Sequence, residues 1–277
     1  MQSYFEFTCG KYQLTLNRPY VMGIVNVTPD SFSDGGQYTS TKSATEHALK
    51  LIAEGADILD IGGESTRPGA VPVSLDEELS RVIPVIEALS HISTVPISID
   101  TYKPEVMRQA IAAGADIVND VRALQEPGAL EAVFNCNVGI CLMHMQGMPQ
   151  TMQLAPHYVD VVSEVKQFLT DRLNTALTQG IVKNRILLDP GFGFGKTRAH
   201  NITLIKHLDK LVDIGQPLLV GLSRKAVLGA IAGGDEGQRL HASIAASVIS
   251  AMKGAKILRV HDVKATVDAL KVVAAVT

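Results

Sequence analysis

The sequence has no surplus of positive charge: 25 Lys and Arg stand against 28 Asp and Glu, for a net charge of −3. With no basic face to hold a phosphate backbone, nucleic acid is excluded as a partner. Cysteine is scarce. Cys9, Cys136 and Cys141 are odd in number and form no C-x-x-C, the pattern of small reduced thiols in a cytoplasmic protein. No run suits a membrane: the longest stretch without Asp, Glu, Lys or Arg, 132–159, carries Asn135, Asn137, Gln146, Pro149 and His157. The N-terminus has no apolar leader segment and carries Glu6 and Lys11, so secretion is not expected. No Pro/Gly/Ser-rich linker divides the 277 residues, and 46% of them are hydrophobic. A single domain over 1–277 with a large core is therefore expected.

What is present centres on Arg185-Ile-Leu-Leu-Asp-Pro-Gly-Phe-Gly-Phe-Gly-Lys196. Ile186, Leu187 and Leu188 are stopped by Pro190 and alternating glycines, which reads as a buried strand running into a tight loop. Asp189 then stands at the strand's carboxyl end. A carboxylate there accepts two parallel hydrogen bonds from the N–H/NH2 edge of a heterocycle, or from an Arg fork. A helix N-cap is the plainer alternative. The stretch is no P-loop, because only three residues separate Gly191 from Gly195. Nor is it a dinucleotide fingerprint, since Gly191, Gly193 and Gly195 alternate.

Along the chain, residues 1–19 read as a β-like lead-in, a hairpin lid over one end. Tyr20-Val-Met-Gly-Ile-Val-Asn26 is an apolar strand, followed by a polar turn-rich loop over 27–36. A phrase then recurs: Gly55-Ala-Asp-Ile-Leu-Asp60, Gly114-Ala-Asp-Ile-Val-Asn119 and Gly254-Ala-Lys-Ile-Leu-Arg259. Each reads as helix cap, short strand and polar tip. Further strands are predicted over 95–100, 138–144, 186–189 and 218–222, with helices over 41–54, 75–89, 104–113, 158–179, 202–211, 241–253 and 263–275.

Eight short apolar strands alternating with helices predict an α/β chain, closing as a (β/α)8 TIM barrel. A doubly wound open sheet is the rival. The barrel is favoured because the strands end in Asn26, Asp60, Asp100, Asn119, His144, Asp189 and Arg259, with Lys225 just past the seventh. In a barrel those tips share one mouth; in an open sheet the outer ones scatter.

With these residues set out, the chain resembles the dihydropteroate synthases, a pterin-binding family, almost end to end. The resemblance is carried by Met22-Gly-Ile-Val-Asn-Val-Thr-Pro-Asp-Ser-Phe-Ser-Asp-Gly-Gly36 and Asp60-Ile-Gly-Gly-Glu-Ser-Thr-Arg-Pro-Gly69. Ser98-Ile-Asp-Thr-Tyr102, Asn119-Asp-Val121, Leu142-Met-His-Met-Gln-Gly147, Asp189-Pro-Gly-Phe-Gly-Phe-Gly195, Ser223-Arg-Lys225 and Arg259-Val-His-Asp-Val263 continue it. One departure is Ala242-Ser243, where a Gly-Ser pair is expected. The resemblance implies condensation of 7,8-dihydropterin-6-ylmethyl diphosphate with p-aminobenzoate to 7,8-dihydropteroate and pyrophosphate, aided by Mg2+.

It also implies roles. Asp189 and Asn119 take the polar edge of the pterin ring, Lys225 reaches its carbonyl and Asp100 serves its far side. Arg259 lies over the ring plane and touches phosphate, with Met143 and Phe194 lining the pocket. Arg67, His261 and Asn26 hold the diphosphate, with Ser65 beside them. Asn26 and Asp34 offer oxygens to Mg2+. Phe32, Thr66, Pro68, Ser223 and Lys225 hold p-aminobenzoate, the first loop folding over it. The implied chemistry is a dissociative substitution that needs charge stabilisation and positioning, and no strong base. A homodimer through the C-terminal helices follows from the same resemblance. Two rivals are a barrel that moves a methyl group from methyltetrahydrofolate to a corrinoid protein, and a non-catalytic pterin-binding paralogue. Neither needs Arg67, His261 and a metal-binding first loop.

Overall fold

The computed structural model describes residues 4–27, 36–66, 69–233 and 239–276. The chain opens with an antiparallel hairpin, β1 (Phe5–Cys9) and β2 (Tyr12–Leu16). Strands and helices then alternate: β3 (Tyr20–Asn26), α1 (Gly36–Ala53), β4 (Ile58–Gly62), α2 (Leu75–Ser90), β5 (Ile97–Asp100) and α3 (Pro104–Ala113). They continue as β6 (Ile117–Asp120), α4 (Ala129–Phe134), β7 (Gly139–Met143), α5 (Val161–Thr178), β8 (Ile186–Asp189), α6 (Arg198–Lys206) and α7 (Leu208–Val212). Last come β9 (Leu219–Val220), α8 (Ala226–Ala232), α9 (Leu240–Met252), β10 (Ile257–Val260) and α10 (Val263–Val276). The strands β3 to β10 form one sheet in the order β8-β7-β6-β5-β4-β3-β10-β9. A parallel bridge between Leu188 and Leu218 joins its two ends, so the sheet closes into the expected barrel.

Several details depart from the sequence-based expectation. The helix expected over 202–211 is two helices, α6 and α7, parted at His207 (φ −115°, ψ 28°). Helices α4 and α8 were not anticipated, being too short to show a period. The helix expected from 158 starts at Val161, because the Asp160 carboxylate caps the N–H groups of Val162 and Ser163.

The recurring glycine phrase has a single physical cause. Gly55, Gly114 and Gly254 have φ of +101°, +111° and +99°. After each, the next N–H reaches back to the carbonyl five residues earlier: Ala56 to Leu51 at 2.9 Å, Ala115 to Ala110 at 2.9 Å, and Ala255 to Ser250 at 3.0 Å. That is the Schellman ending, which turns the chain from helix into the next strand. In two of the three, the aspartate that follows fixes the preceding strand. Asp57 accepts from the N–H of Val21 at 2.9 Å, and Asp116 from that of Ile97 at 3.0 Å.

Apolar runs that looked uniform in sequence divide by alternation. Residues such as Val21, Val25, Leu59, Ile61, Ile99, Val118 and Leu188 pack outward against the helices. The intervening Met22, Ile58, Ile117, Cys141, Leu187, Leu219 and Ile257 form a separate inner cluster with Phe7, Cys9 and Leu16 of the hairpin. The lead-in thus plugs the N-terminal end of the barrel. A Cβ on Gly139 would lie 2.4 Å from the Phe7 ring, so the plug seats directly on β7.

Candidate active site

Two residues beyond that inner cluster, the same strand faces turn polar. Ile58 is followed by Asp60, Ile117 by Asn119, Leu187 by Asp189 and Ile257 by Arg259; β5 adds Asp100. Alternation sends all of them inward, at the carboxyl ends of the strands, where barrels carry their active sites. On one wall Arg259 donates from Nε to Asp60 at 2.5 Å and from Nη2 to Asp100 at 2.7 Å. Asn119 Nδ2 donates to the same Asp60 oxygen at 3.1 Å.

The charges on this wall are shifted. Burial raises Asp100 to about 7, reinforced by Asp60 and opposed by Arg259. Burial works against the charge on Arg259, but Asp60 and Asp100 outweigh it and hold the guanidinium more firmly protonated than usual. Three buried oxygens nearby have no partner: Asp60 Oδ1, Asp100 Oδ1 and Ser98 Oγ. Buried polar atoms are nearly always satisfied, so these mark a place for a polar ligand or water.

The facing wall holds Asp189, Lys225 and Phe194. Asp189 is 5% exposed, and one oxygen accepts from the N–H of Gly191 at 2.7 Å. Lys225 donates to the carbonyl of Phe192 and stands 4.5 Å over the Phe194 ring. Burial raises Asp189 and lowers Lys225 to about 8, each opposing the other's shift. Asp189 also feels Arg259, and Lys225 feels both Arg259 and Asp100, so the two walls form one electrostatic unit. Asn119 and Asp189 lie two strands apart, on β6 and β8. That is a backbone span of about 10 Å, wide enough for a flat bicyclic ring. Met143, 4% exposed, lies between them, paired with Asp189 across β7 and β8.

Of the remaining expected residues, Ser223 and His261 meet at the rim. The Ser223 hydroxyl accepts the His261 N–H at 3.2 Å and lies 3.0 Å from its Nδ1. Between Ser223 and Lys225, Arg224 adopts φ +57° and forks onto Asp262 at 2.6 and 3.0 Å. Ala242 leaves this corner intact, since the neighbouring Ser243 hydroxyl accepts the Arg224 N–H at 2.9 Å. Asn26 ends β3, half-buried, and its Oδ1 and the Asp100 side chain both border Gly62. Ser65 and Thr66 are half-buried on the loop after β4. Phe32, Asp34, Arg67 and Pro68 lie outside the described residues. Among the described residues no group of three acidic, His or Cys side chains could hold a metal ion. Asn26 offers one neutral oxygen, which suits an ion that draws its other oxygens from a diphosphate and water.

Three groups that the fold brings in had no role assigned from the sequence. Asp60 is the shared acceptor of Arg259 and Asn119, and its position as a strand tip was the available signal. Lys103 bridges Glu64 and Glu78 and donates to the carbonyl of Val73 at 2.7 Å, tying the β5 loop to the β4 loop. Lys196 is buried against His144. A lysine at a glycine-rich loop reads as a solvated charge, and nothing local signals otherwise.

Comparison with known proteins agrees with this geometry. A family model described as "Pterin binding enzyme" matches residues 22–261. The dihydropteroate synthase of Escherichia coli (strain K12) is 53% identical over 262 residues, covering 95% of this chain and 93% of its own. The Xanthomonas albilineans dihydropteroate synthase structure with 4-aminobenzoic acid is 55% identical, with a TM-score of 0.94 over 99% of this chain and 98% of that one. That of Burkholderia cenocepacia complexed with 7,8-dihydropteroate is 49% identical, with a TM-score of 0.90 over 99% and 98%.

Proposed function

The chain belongs to the dihydropteroate synthase family, and on that premise we propose that it condenses 7,8-dihydropterin-6-ylmethyl diphosphate with p-aminobenzoate, yielding 7,8-dihydropteroate and pyrophosphate. The observation that carries this reading is the inward layer itself: carboxylate, amide and cation on facing walls, with buried oxygens still lacking donors. An N–H on the far side of a pterin ring would satisfy Asp100 Oδ1.

Asp189 would accept from the ring N–H and exocyclic amine, Asn119 would bond the same edge, and Lys225 would leave the Phe192 carbonyl for that of the ring. Asp100 would serve the far side. Asp60 and Asp100 would keep Arg259 in place, leaving its Nη1 group outside those two bonds to meet the diphosphate. His261, Arg67, Asn26 and Ser65 would hold the leaving group. Phe32, Thr66, Pro68 and Ser223 would hold p-aminobenzoate, with Met143 and Phe194 against the ring. Departure of pyrophosphate leaves a cation at the methylene carbon, shared with the dihydropterin ring. The neutral arylamine attacks it and then sheds a proton, so the protein's task is positioning and charge stabilisation. Mg2+ would neutralise the diphosphate, with Asn26 Oδ1 and Asp34 as its protein contacts.

A homodimer through α9 and α10 is supported by the exposure of Met252 (64%) and Val272 (65%) on adjoining helices. The three unpaired cysteines support a cytoplasmic location. No helix among the described residues is long and apolar enough to cross a membrane.

The test is release of pyrophosphate from the pterin diphosphate with p-aminobenzoate present and absent. Release that depends on both substrates is expected; pterin binding without release would instead indicate the non-catalytic reading. Arg67→Ala should lower turnover about a hundredfold while barely changing affinity for a pterin without the diphosphate. Equal losses would remove Arg67 from the anion site.

A further inference from the structure

The loop 191–195 has every carbonyl taken by a side chain. Those of Gly191 and Phe194 accept from Lys196 Nζ at 2.8 and 3.0 Å. That of Phe192 accepts from Lys225, that of Gly193 from Gln153, and that of Gly195 from the Tyr158 hydroxyl at 2.8 Å. The loop also presses on the end of β7. A Cβ on Gly191, at φ +66°, would lie 1.8 Å from the His144 carbonyl oxygen. Lys196 is 2% exposed, and its Nζ also lies 2.8 Å from His144 Nδ1 and, more distantly, 3.4 Å from the His144 carbonyl oxygen. The His144 ring is itself buried and stands edge-on to Phe168, with centroids 4.8 Å apart. Burial pushes Lys196 well below the ordinary lysine value, opposed by Asp189 and reinforced by Lys225; as an ammonium it only donates, so Nδ1 then accepts and the ring proton sits on Nε2. Burial and the neighbouring Lys196 push His144 down to about 3, so the ring is neutral near pH 7.

We propose that Lys196, seated on His144, is a positioning residue for the pterin ring. It fastens both ends of the 191–195 loop, so that Asp189 and Phe194 present a fixed surface while Lys225 exchanges the Phe192 carbonyl for substrate. This rests on the pterin-site reading above. Of the two lysines holding the loop, Lys225 has that second task; Lys196 lies beneath the loop and keeps its bonds when Lys225 leaves.

The test uses the full chain with both substrates and reads KM separately for each. Lys196→Met should raise KM for the pterin diphosphate on the order of ten- to a hundredfold, with KM for p-aminobenzoate within about twofold. His144→Leu removes the acceptor and should follow in the same direction. His144→Asn places an oxygen where Nδ1 was and should restore near-wild-type pterin KM. If Lys196→Met fails to fold, the contrast of His144→Leu with His144→Asn still decides. Parallel rises in both KM values, or identical behaviour of the two His144 variants, would overturn the proposal. If the wild type binds the pterin diphosphate yet does not turn over, the functional reading fails. The positioning role is then judged on pterin affinity in the same variants.

Discussion

The two ends of the barrel interior are built from the same strands and differ in almost everything else. At the N-terminal end, Ile58, Ile117, Cys141, Leu187 and Ile257 close on the hairpin residues Phe7, Cys9 and Leu16. Two positions further along, β4, β6, β7, β8 and β10 present Asp60, Asn119, Met143, Asp189 and Arg259. The lower layer buries apolar area and satisfies its backbone through the ladder, so it stabilises the fold. The upper layer gathers carboxylates around one guanidinium and leaves Asp60 Oδ1, Asp100 Oδ1 and Ser98 Oγ unpartnered. Stability resides at one end and the proposed recognition at the other, separated by a single pleat.

Strand β8 offers the sharpest way to break that division. Asp189→Asn should weaken binding of a pterin lacking the diphosphate by about a hundredfold, because an amide cannot accept from both ring donors. Its melting temperature should stay near wild type. Leu187→Ala, two residues earlier, should cost about 2–5 kcal/mol of stability, with unchanged pterin affinity for the folded fraction. Titration and thermal unfolding of the two variants would test this, and a Leu187→Ala protein that lost affinity while staying folded would erase the distinction.

A smaller effect sharpens the electrostatics of the upper layer. Asp100 titrates at about 7, raised chiefly by burial and also by Asp60, against the pull of Arg259. Below that pH its carboxyl is neutral and Arg259 faces one anion fewer; above it the site gains a negative charge. Pyrophosphate binding without added metal should therefore weaken about threefold as pH rises through 7. Asp100→Asn should remove that step, and the difference between the two calorimetric profiles isolates the contribution of Asp100. Superimposable profiles would remove Asp100 from the pH dependence.

The smallest effect is expected away from both layers. Ala242 is half-buried near the start of α9 and packs on the outer core. Ala242→Gly should cost about 0.5–1 kcal/mol of stability and leave both KM values unchanged. A kinetic effect there would mean that the corner formed by Ser243 and Arg224 reaches the substrate.

Much of this arrangement was legible before folding. The three glycine phrases marked helix-to-strand joints, because glycine takes the left-handed turn of a Schellman ending at the least cost. The Ile186–Asp189 run and its glycine loop marked a strand tip, and the polar tips argued for one shared mouth. The short helices α4 and α8 were not legible, nor was the break at His207, since a few residues carry too little periodicity to stand out.

Composition, joints and strand tips thus determined the class of fold and the end of the barrel where the polar groups gather, because both rest on local backbone preference and short-range pattern. The tertiary structure alone decided which apolar residues of each strand face inward, since strands buried on both faces show no alternation in sequence. It alone placed Arg259 on Asp60 and Asp100, 199 and 159 residues away, and sank Lys196 onto His144. Those pairings exist because barrel closure takes the side chains out of water, where a charge must find a partner.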